Sequence, residues 1–206
     1  MDEFERVNRE YFNKIAQTKK GNYQIEKSKK KLSTYIQNKN RKIILNCIDP
    51  KENILDLGCG NGEFTNQLSK LAATTAIDLS EEMISLAKTT FPHITFLISS
   101  IYQIPLETKS FDTTVCLNTL HHIKDLEKAI SEICRVTKNQ IIIEIKNKNS
   151  TNYLRRSLIK NPEYLWRATT IKEIKKMFSK NNFKLIKKYS PLPIINPVYI
   201  LDFRSV

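Results

Sequence analysis

No stretch of this chain reaches the roughly 18 consecutive apolar residues that a membrane-spanning helix needs. The start, Met1-Asp2-Glu3-Phe4-Glu5-Arg6, lacks the basic-then-apolar order of a secretory signal. Cysteine is sparse: Cys47, Cys59, Cys116 and Cys134 form no CxxC pair and no His/Cys cluster, so no metal site is expected. The four read as reduced thiols of a cytoplasmic protein. Glycine is scarcer still for the length, and three of the four glycines, Gly58, Gly60 and Gly62, stand at alternate positions in one stretch. No internal repeat, low-complexity linker or second domain is visible. The 206 residues fit a single domain spanning 1–206.

Of the composition, 40% is hydrophobic and 27% charged, which reads as soluble and globular. The net charge of +13 raises nucleic acid or an anionic surface as partner. The lysines are scattered, however, and few aromatics interleave them. A solvated, lysine-rich surface is the favoured reading, with nucleic acid possible but not favoured.

The glycines follow a short apolar run, Asn53-Ile54-Leu55-Asp56-Leu57, and precede a helical pattern. That order is strand, tight turn, helix, with a backbone that lets a flat ligand come close. A loop built for pyrophosphate sets backbone N–H groups against negative charge. Asp56 at the mouth of the loop would repel that charge and attract a cationic ligand end. S-adenosylmethionine has an ammonium, a sulfonium and no phosphate. The Asp-x-Gly-x-Gly-x-Gly signature after a strand resembles motif I of class I S-adenosylmethionine-dependent methyltransferases, closest to the small-molecule branch related to ubiquinone and menaquinone biosynthesis. The resemblance is detailed over roughly residues 50–145. It implies a Rossmann-like, doubly wound, seven-stranded, mostly parallel α/β sheet with an antiparallel C-terminal hairpin and helices on both faces.

Residues 1–47 read as helical, with Phe4, Val7, Tyr11 and Ile15 at helical spacing. Gly21-Asn22 breaks the pattern, and a second helix is expected over 24–47 with Leu32, Tyr35, Ile36, Ile43, Ile44 and Cys47 inward. The resemblance implies that this segment is a lid over the cofactor; Tyr11, Phe12 and Tyr23 are candidates to close it, or ordinary core aromatics. Strands are expected at 53–57, 74–77, 94–98, 111–117 and 140–145, and a final pair at 183–189 and 198–203. Asp78 ends the second strand, 78 − 58 = 20 residues after Gly58, the spacing at which nucleotide folds place a ribose-binding acid. Ser80 should cap the next helix, which leaves Asp78 free for the ribose.

From the resemblance, cofactor contacts are expected at Asp56, Gly58, Cys59, Gly60, Asp78, Leu79, Met83, Ser100, Ile101 and Asn118. Asp56 would orient the ammonium, Asp78 the ribose, and Leu79 and Ile101 would flank adenine. The family usually carries Gly-Asp after the third strand, where the acid bonds the adenine amino group; here Ser99-Ser100 stand in its place. The pair His121-His122 follows the fourth strand. His121 is a candidate general base, or both histidines shape the pocket. The family's Pro-Gly-Gly before the fifth strand is replaced by Thr137-Lys138-Asn139-Gln140, where Asn139 could adopt the left-handed conformation.

Residues 147–168 read as a substrate-side insertion, with Tyr153, Arg155, Arg156 and Trp166 as candidate acceptor contacts. The expected product is S-adenosylhomocysteine. Rival readings are a transfer RNA methyltransferase of the wobble-uridine type and a nonenzymatic S-adenosylmethionine-binding protein. A nicotinamide dehydrogenase fits Asp56 and the alternate glycines poorly.

Overall fold

The structure is a computed structural model that describes residues 1–17, 27–48, 53–146, 148, 168–190 and 198–206, with side chains from residue 34 in the second segment. In chain order the elements are α1 (Glu3–Gln17), α2 (Lys27–Leu45), β1 (Ile54–Leu57), α3 (Thr65–Leu68), β2 (Thr74–Asp78), α4 (Glu81–Thr90), β3 (Thr95–Ile98) and β4 (Phe111–Cys116). A 3-10 turn (Leu120–His122) then leads to α5 (Leu126–Val136), β5 (Thr137–Lys146), α6 (Ile171–Ser179), β6 (Phe183–Tyr189) and β7 (Val198–Ser205).

The seven strands form one sheet in the order β3-β2-β1-β4-β5-β7-β6. The β1–β2, β2–β3, β1–β4 and β4–β5 pairs are parallel; β7 runs antiparallel to both β5 and β6. The order reverses at β1, so the crevice beyond its carboxyl end, next to β4, is where such a sheet accepts a ligand.

Alternate residues of the central strands go to opposite faces, as a period of two requires. Leu55, Leu57, Ile141, Ile143 and Ile145 pack with α5 and α6 on one side. Ile54, Val115 and Ile142 pack with Ile44 of α2 and with Phe64 and Leu68 around α3 on the other. Asp56 and Glu144 share the parity of Ile54 and Ile142, so these two acids face the α2 and α3 side. The stripe on α5 buries Leu126, Ala129, Ile130, Ile133 and Val136.

Local signals read from the sequence reappear as geometry. Ser80 caps α4 by accepting the Met83 amide at 3.1 Å. Thr170 and Glu173 form a reciprocal capping box at the start of α6, and Asn182 beyond its end has φ +60°.

Three expectations need correction. Tyr35 is 56% exposed, because helical spacing alone does not say how far a partner layer extends along α2. Asn139 does not turn left-handed; β5 starts at Thr137, and a register shift between Phe111 and Thr113 absorbs the irregularity. On α1 the most buried residues are Glu5 and Asn8, while Phe4, Val7, Tyr11 and Ile15 are half-exposed. The apolar stripe is therefore not the side that α1 buries most, because α1 packs on α4 while covering a cavity with Glu5 and Asn8. Tyr23, Gly21-Asn22 and the side chain of Leu32 lie outside the described residues, as do Tyr153, Arg155, Arg156 and Trp166.

Candidate active site

A cavity of about 470 Å³ opens at the carboxyl ends of β1, β2 and β4. It is within the size range of small-molecule sites, about 300–1,000 Å³. Its floor is Gly58, Gly60 and Asn61, one wall is Asp78, Leu79, Met83, Ser99 and Ile101, and another is Asn118, Thr119, His121 and His122. Helix α1 covers it with Glu5, Asn8, Arg9 and Phe12, and α2 adds Gln37.

The three glycines of the loop all have positive φ, where a side chain is strained. A Cβ on Gly58 would lie 2.0 Å from the Thr119 hydroxyl oxygen, so this glycine lets the β4 segment close against the loop. A Cβ on Gly60 would meet nothing within 4 Å. Gly60 leaves space on the cavity side, as a ligand approaching the backbone requires.

The loop amides are largely committed. Gly58 and Cys59 both donate to the Ile77 carbonyl, at 2.7 and 3.1 Å, and Gly62 donates to the Cys59 carbonyl at 3.1 Å. Gly60 donates to Asp78 Oδ2 at 2.8 Å, and Asp78 Oδ1 accepts the Ser80 amide at 2.9 Å. The loop is therefore braced by an acid rather than held open for phosphate. The helix after it, α3, has only four residues. Each oxygen of Asp78 keeps a further lone pair that could accept a ribose hydroxyl. Burial pushes the Asp78 carboxyl up, and the Ser80 and Gly60 amides oppose that.

Asp56 is 2% exposed and does not reach the cavity wall. The parity of β1 turns it under the loop, where it accepts the Thr65 hydroxyl at 2.7 Å. Burial pushes its carboxyl up to about 6; the Thr65 bond opposes the rise, nearby Asp78 adds to it, and Arg41 lowers it. The expectation from the sequence is that Asp56 orients an ammonium directly or through water; its side chain lies beneath the loop and does not line the cavity. The Cys59 side chain also misses the wall. It packs with Ala76, Ile84 and Phe96, and burial raises its thiol well above the ordinary value. Only its backbone belongs to the loop.

Ser100 faces a smaller neighbouring cavity of about 290 Å³, and Ser99 takes its expected place on the main wall. The Ser100 hydroxyl is bonded to the carboxylate of Glu5 from α1. Asn118 lies on the wall with φ +56°, and its Oδ1 accepts Lys146 Nζ at 3.0 Å. The same ammonium meets Glu144 Oε1 at 2.7 Å, and Glu144 Oε2 accepts from Asn40 Nδ2 at 3.0 Å. The rings of His121 and His122 have centroids 4.0 Å apart, and Phe12 meets His122 edge-on at 5.1 Å. The Asn8 amide donates to the His122 carbonyl at 3.1 Å. His121 and Phe12 both line the cavity.

Glu5, Asn8, Ser99 and Lys146 were absent from the sequence-based site. The spacing of Glu5, Asn8, Arg9 and Phe12 on one helical face was a signal available in the sequence, but polar residues on a helix face ordinarily mean solvent.

The glycine loop, the acid ending β2 and the switch-point cavity together describe one known architecture. Residues 55–143 match the family described as a methyltransferase domain. Over that stretch, somewhat less than half of the chain, it resembles a methyltransferase domain. Along nearly its whole length it is similar to magnesium protoporphyrin IX methyltransferase from Synechocystis PCC 6803, solved with S-adenosylhomocysteine bound: 18% identity, 99% of this chain, 100% of that one and a TM-score of 0.76. A malonyl-[acyl-carrier protein] O-methyltransferase of Buchnera aphidicola is 40% identical over 86 residues, covering 41% of this chain and 35% of the relative. An uncharacterised protein of Methanocaldococcus jannaschii is 31% identical over 150 residues, covering 72% of this chain and 59% of the relative. The chain thus spans between about a third and three fifths of the length of these two curated relatives. Among the described residues, no helix is long and apolar enough to cross a membrane, and no group of three or more potential ligand side chains could hold a metal ion.

Proposed function

We propose that this chain transfers a methyl group from S-adenosylmethionine to a small-molecule acceptor, as one domain covered by its N-terminal helices. The observation that carries the reading is the commitment of four of the five amides from Gly58 to Gly62: three go to backbone carbonyls and that of Gly60 goes to Asp78. A dinucleotide would need those groups for its pyrophosphate. A nucleoside without phosphate needs a ribose acceptor and a close backbone instead, which Asp78 and Gly60 provide.

Asp78 would hold the ribose hydroxyls, and Leu79, Met83 and Ile101 the adenine faces. Gly58, Gly60 and Asn118 would flank the methionine portion, with Asp56 beneath it favouring a cationic ligand. When bound, S-adenosylmethionine supplies a methyl group already activated on a sulfonium. The protein's task is then mainly to align an acceptor atom and exclude water, and such alignment lowers a barrier by on the order of 7–11 kcal/mol at best. Phe12 and the α1 face exclude water. His121, on the wall next to Asn118 and Thr119, is the candidate to take a proton from the acceptor. Residues 147–168, with Tyr153, Arg155, Arg156 and Trp166, are proposed to select the acceptor. The names of the Buchnera and Synechocystis relatives support a small-molecule acceptor. A cytoplasmic location belongs to the proposal and is supported by four free cysteines.

Calorimetric titration tests the cofactor: S-adenosylhomocysteine should bind and NAD should not. The reverse preference would overturn the reading. Incubation with methyl-labelled S-adenosylmethionine and a panel of small carboxylic acids, phenols and amines should label one class, whereas labelling of transfer RNA alone would replace the small-molecule acceptor.

A further inference from the structure

Helix α1 buries polar residues against the cavity and leaves its apolar ones half-exposed. Glu5 is 5% exposed and Asn8 4%, and both face the cavity one helical turn apart. A helix gains little from burying a carboxylate unless something there calls for it. The two basic side chains on the cavity wall do not: Arg9 pairs with Glu81 at 3.9 Å, and Lys146 with Glu144 at 2.7 Å. The Glu5 carboxylate is held instead by one neutral donor, the Ser100 hydroxyl. The Asp2 side chain caps the Glu5 backbone amide at 2.9 Å, fixing the first turn of α1. The Ser100 hydroxyl donates to Oε1, its own oxygen being taken by the Tyr102 amide at 3.1 Å.

We infer that Glu5 is the residue that reads the nucleobase, accepting the exocyclic amino group of adenine, and so selects adenosyl over carbonyl-bearing purine ligands. This rests on the cofactor reading above. A ribose placed on Asp78 carries its base along Leu79, the next residue, toward Ile101. Ser99 and Ile101 line the main cavity there, and Glu5 and Leu79 border both this cavity and the smaller one that Ser100 faces. The edge of the base therefore points at the Glu5 carboxylate. An ionised carboxylate only accepts hydrogen bonds, and Oε2 is left for the ligand by the Ser100 arrangement. An amino group suits it. A ring carbonyl, as in hypoxanthine, would set two acceptors against each other. Because the acid belongs to α1 and not to the sheet, this selectivity exists only while α1 is docked. Its docking contacts include Ser80 Oγ to Asn13 Oδ1 at 2.6 Å and Asn8 to the His122 carbonyl.

The test is calorimetric titration of the full chain with S-adenosylhomocysteine and with its inosine counterpart, S-inosylhomocysteine. The wild type should prefer the adenosyl ligand by about tenfold or more, the scale of a hydrogen bond to a charged group. Glu5→Gln is isosteric, and its amide can donate to the hypoxanthine oxygen, so the preference should shrink to near parity. Glu5→Ala should weaken the adenosyl ligand by about tenfold while thermal melting shows an intact fold. If the wild type binds S-adenosylhomocysteine and folded Glu5→Gln keeps both the affinity and the preference, the inference is wrong and the cofactor reading stands. If the wild type binds neither ligand, both fall together.

Discussion

The carboxylate of Asp78 accepts the amide of Gly60 at 2.8 Å, so the acid that ends β2 holds the loop that ends β1. One residue thereby sets the shape of the cavity floor and presents lone pairs into the cavity. Its second oxygen is anchored by the Ser80 amide at 2.9 Å, which stops the side chain from turning away. The loop and this acid act as a unit, and substitutions in either should be felt in both.

Asp78→Ala should weaken S-adenosylhomocysteine by about 1.5–3 kcal/mol, the scale for hydrogen bonds to a charged group. It should also lower the melting temperature of the ligand-free protein, because the Gly60 and Ser80 amides lose their partner. Asp78→Asn should recover little, since its NH₂ must face one of those amide donors. Calorimetry alongside melting separates the effects. An unchanged dissociation constant in a folded variant would reduce Asp78 to a brace.

Asp56 makes stability depend on pH. Its folded value, about 6, lies above the ordinary carboxylate range near 4, because burial disfavours the charge. The folded state therefore keeps a proton that the unfolded chain has released. Stability from this group is greatest below about pH 4, declines as pH rises through about 6 and stays low above it. The loss is roughly 3 kcal/mol at most. Asp56→Asn retains an acceptor for Thr65 and removes the ionisation. It should be more stable than wild type at pH 7.5 and nearly equal at pH 4. It should also bind a ligand bearing an ammonium less well. Denaturant titrations across pH check the first, and a difference that did not change with pH would reject it.

Gly58 and Gly60 should separate folding from binding. Gly58→Ala combines φ +75° with a Cβ 2.0 Å from the Thr119 hydroxyl oxygen, so it should destabilise strongly or fail to fold. Gly60→Ala carries the left-handed strain alone, about 1–2 kcal/mol, since no protein atom lies near the new Cβ. It should fold and lose S-adenosylhomocysteine affinity. Thermal melting and calorimetry on the two variants decide, and a Gly60→Ala protein with native affinity would mean that no ligand approaches that backbone.

Lys146 and Glu144 should behave as a coupled pair. Glu144 is 1% exposed and depends on Lys146 and Asn40, so Lys146→Met leaves a buried charge half-satisfied. That should cost about 3 kcal/mol, the low end for a broken buried pair, because the Lys146 side chain is 25% exposed. Replacing both residues by Met should cost less than the Lys146 change alone. A double-mutant cycle by chemical denaturation measures the coupling, and additive effects would contradict it.

The sequence by itself determined the order of elements and the chemistry of the loop. Apolar runs of strand length alternate with helical periods, and three glycines with an acid 20 residues on are local signals in a parallel α/β unit. The Ser80 cap, the Thr170–Glu173 box and the face of α5 were equally local, each a matter of spacing along one element. What only the tertiary structure decided is which way side chains point at the site. The pleat of β1 and its covering by α3 turned Asp56 beneath the loop toward Thr65. The core between β2, β3 and α4 claimed the Cys59 side chain. Above all, the docking of α1 brought Glu5 across 95 positions of sequence to Ser100 and put a polar helix face over a cavity. A helical pattern records which residues share a face, but the neighbour of that face is chosen by the packing of the whole chain. A buried carboxylate and a solvated one are written with the same letter.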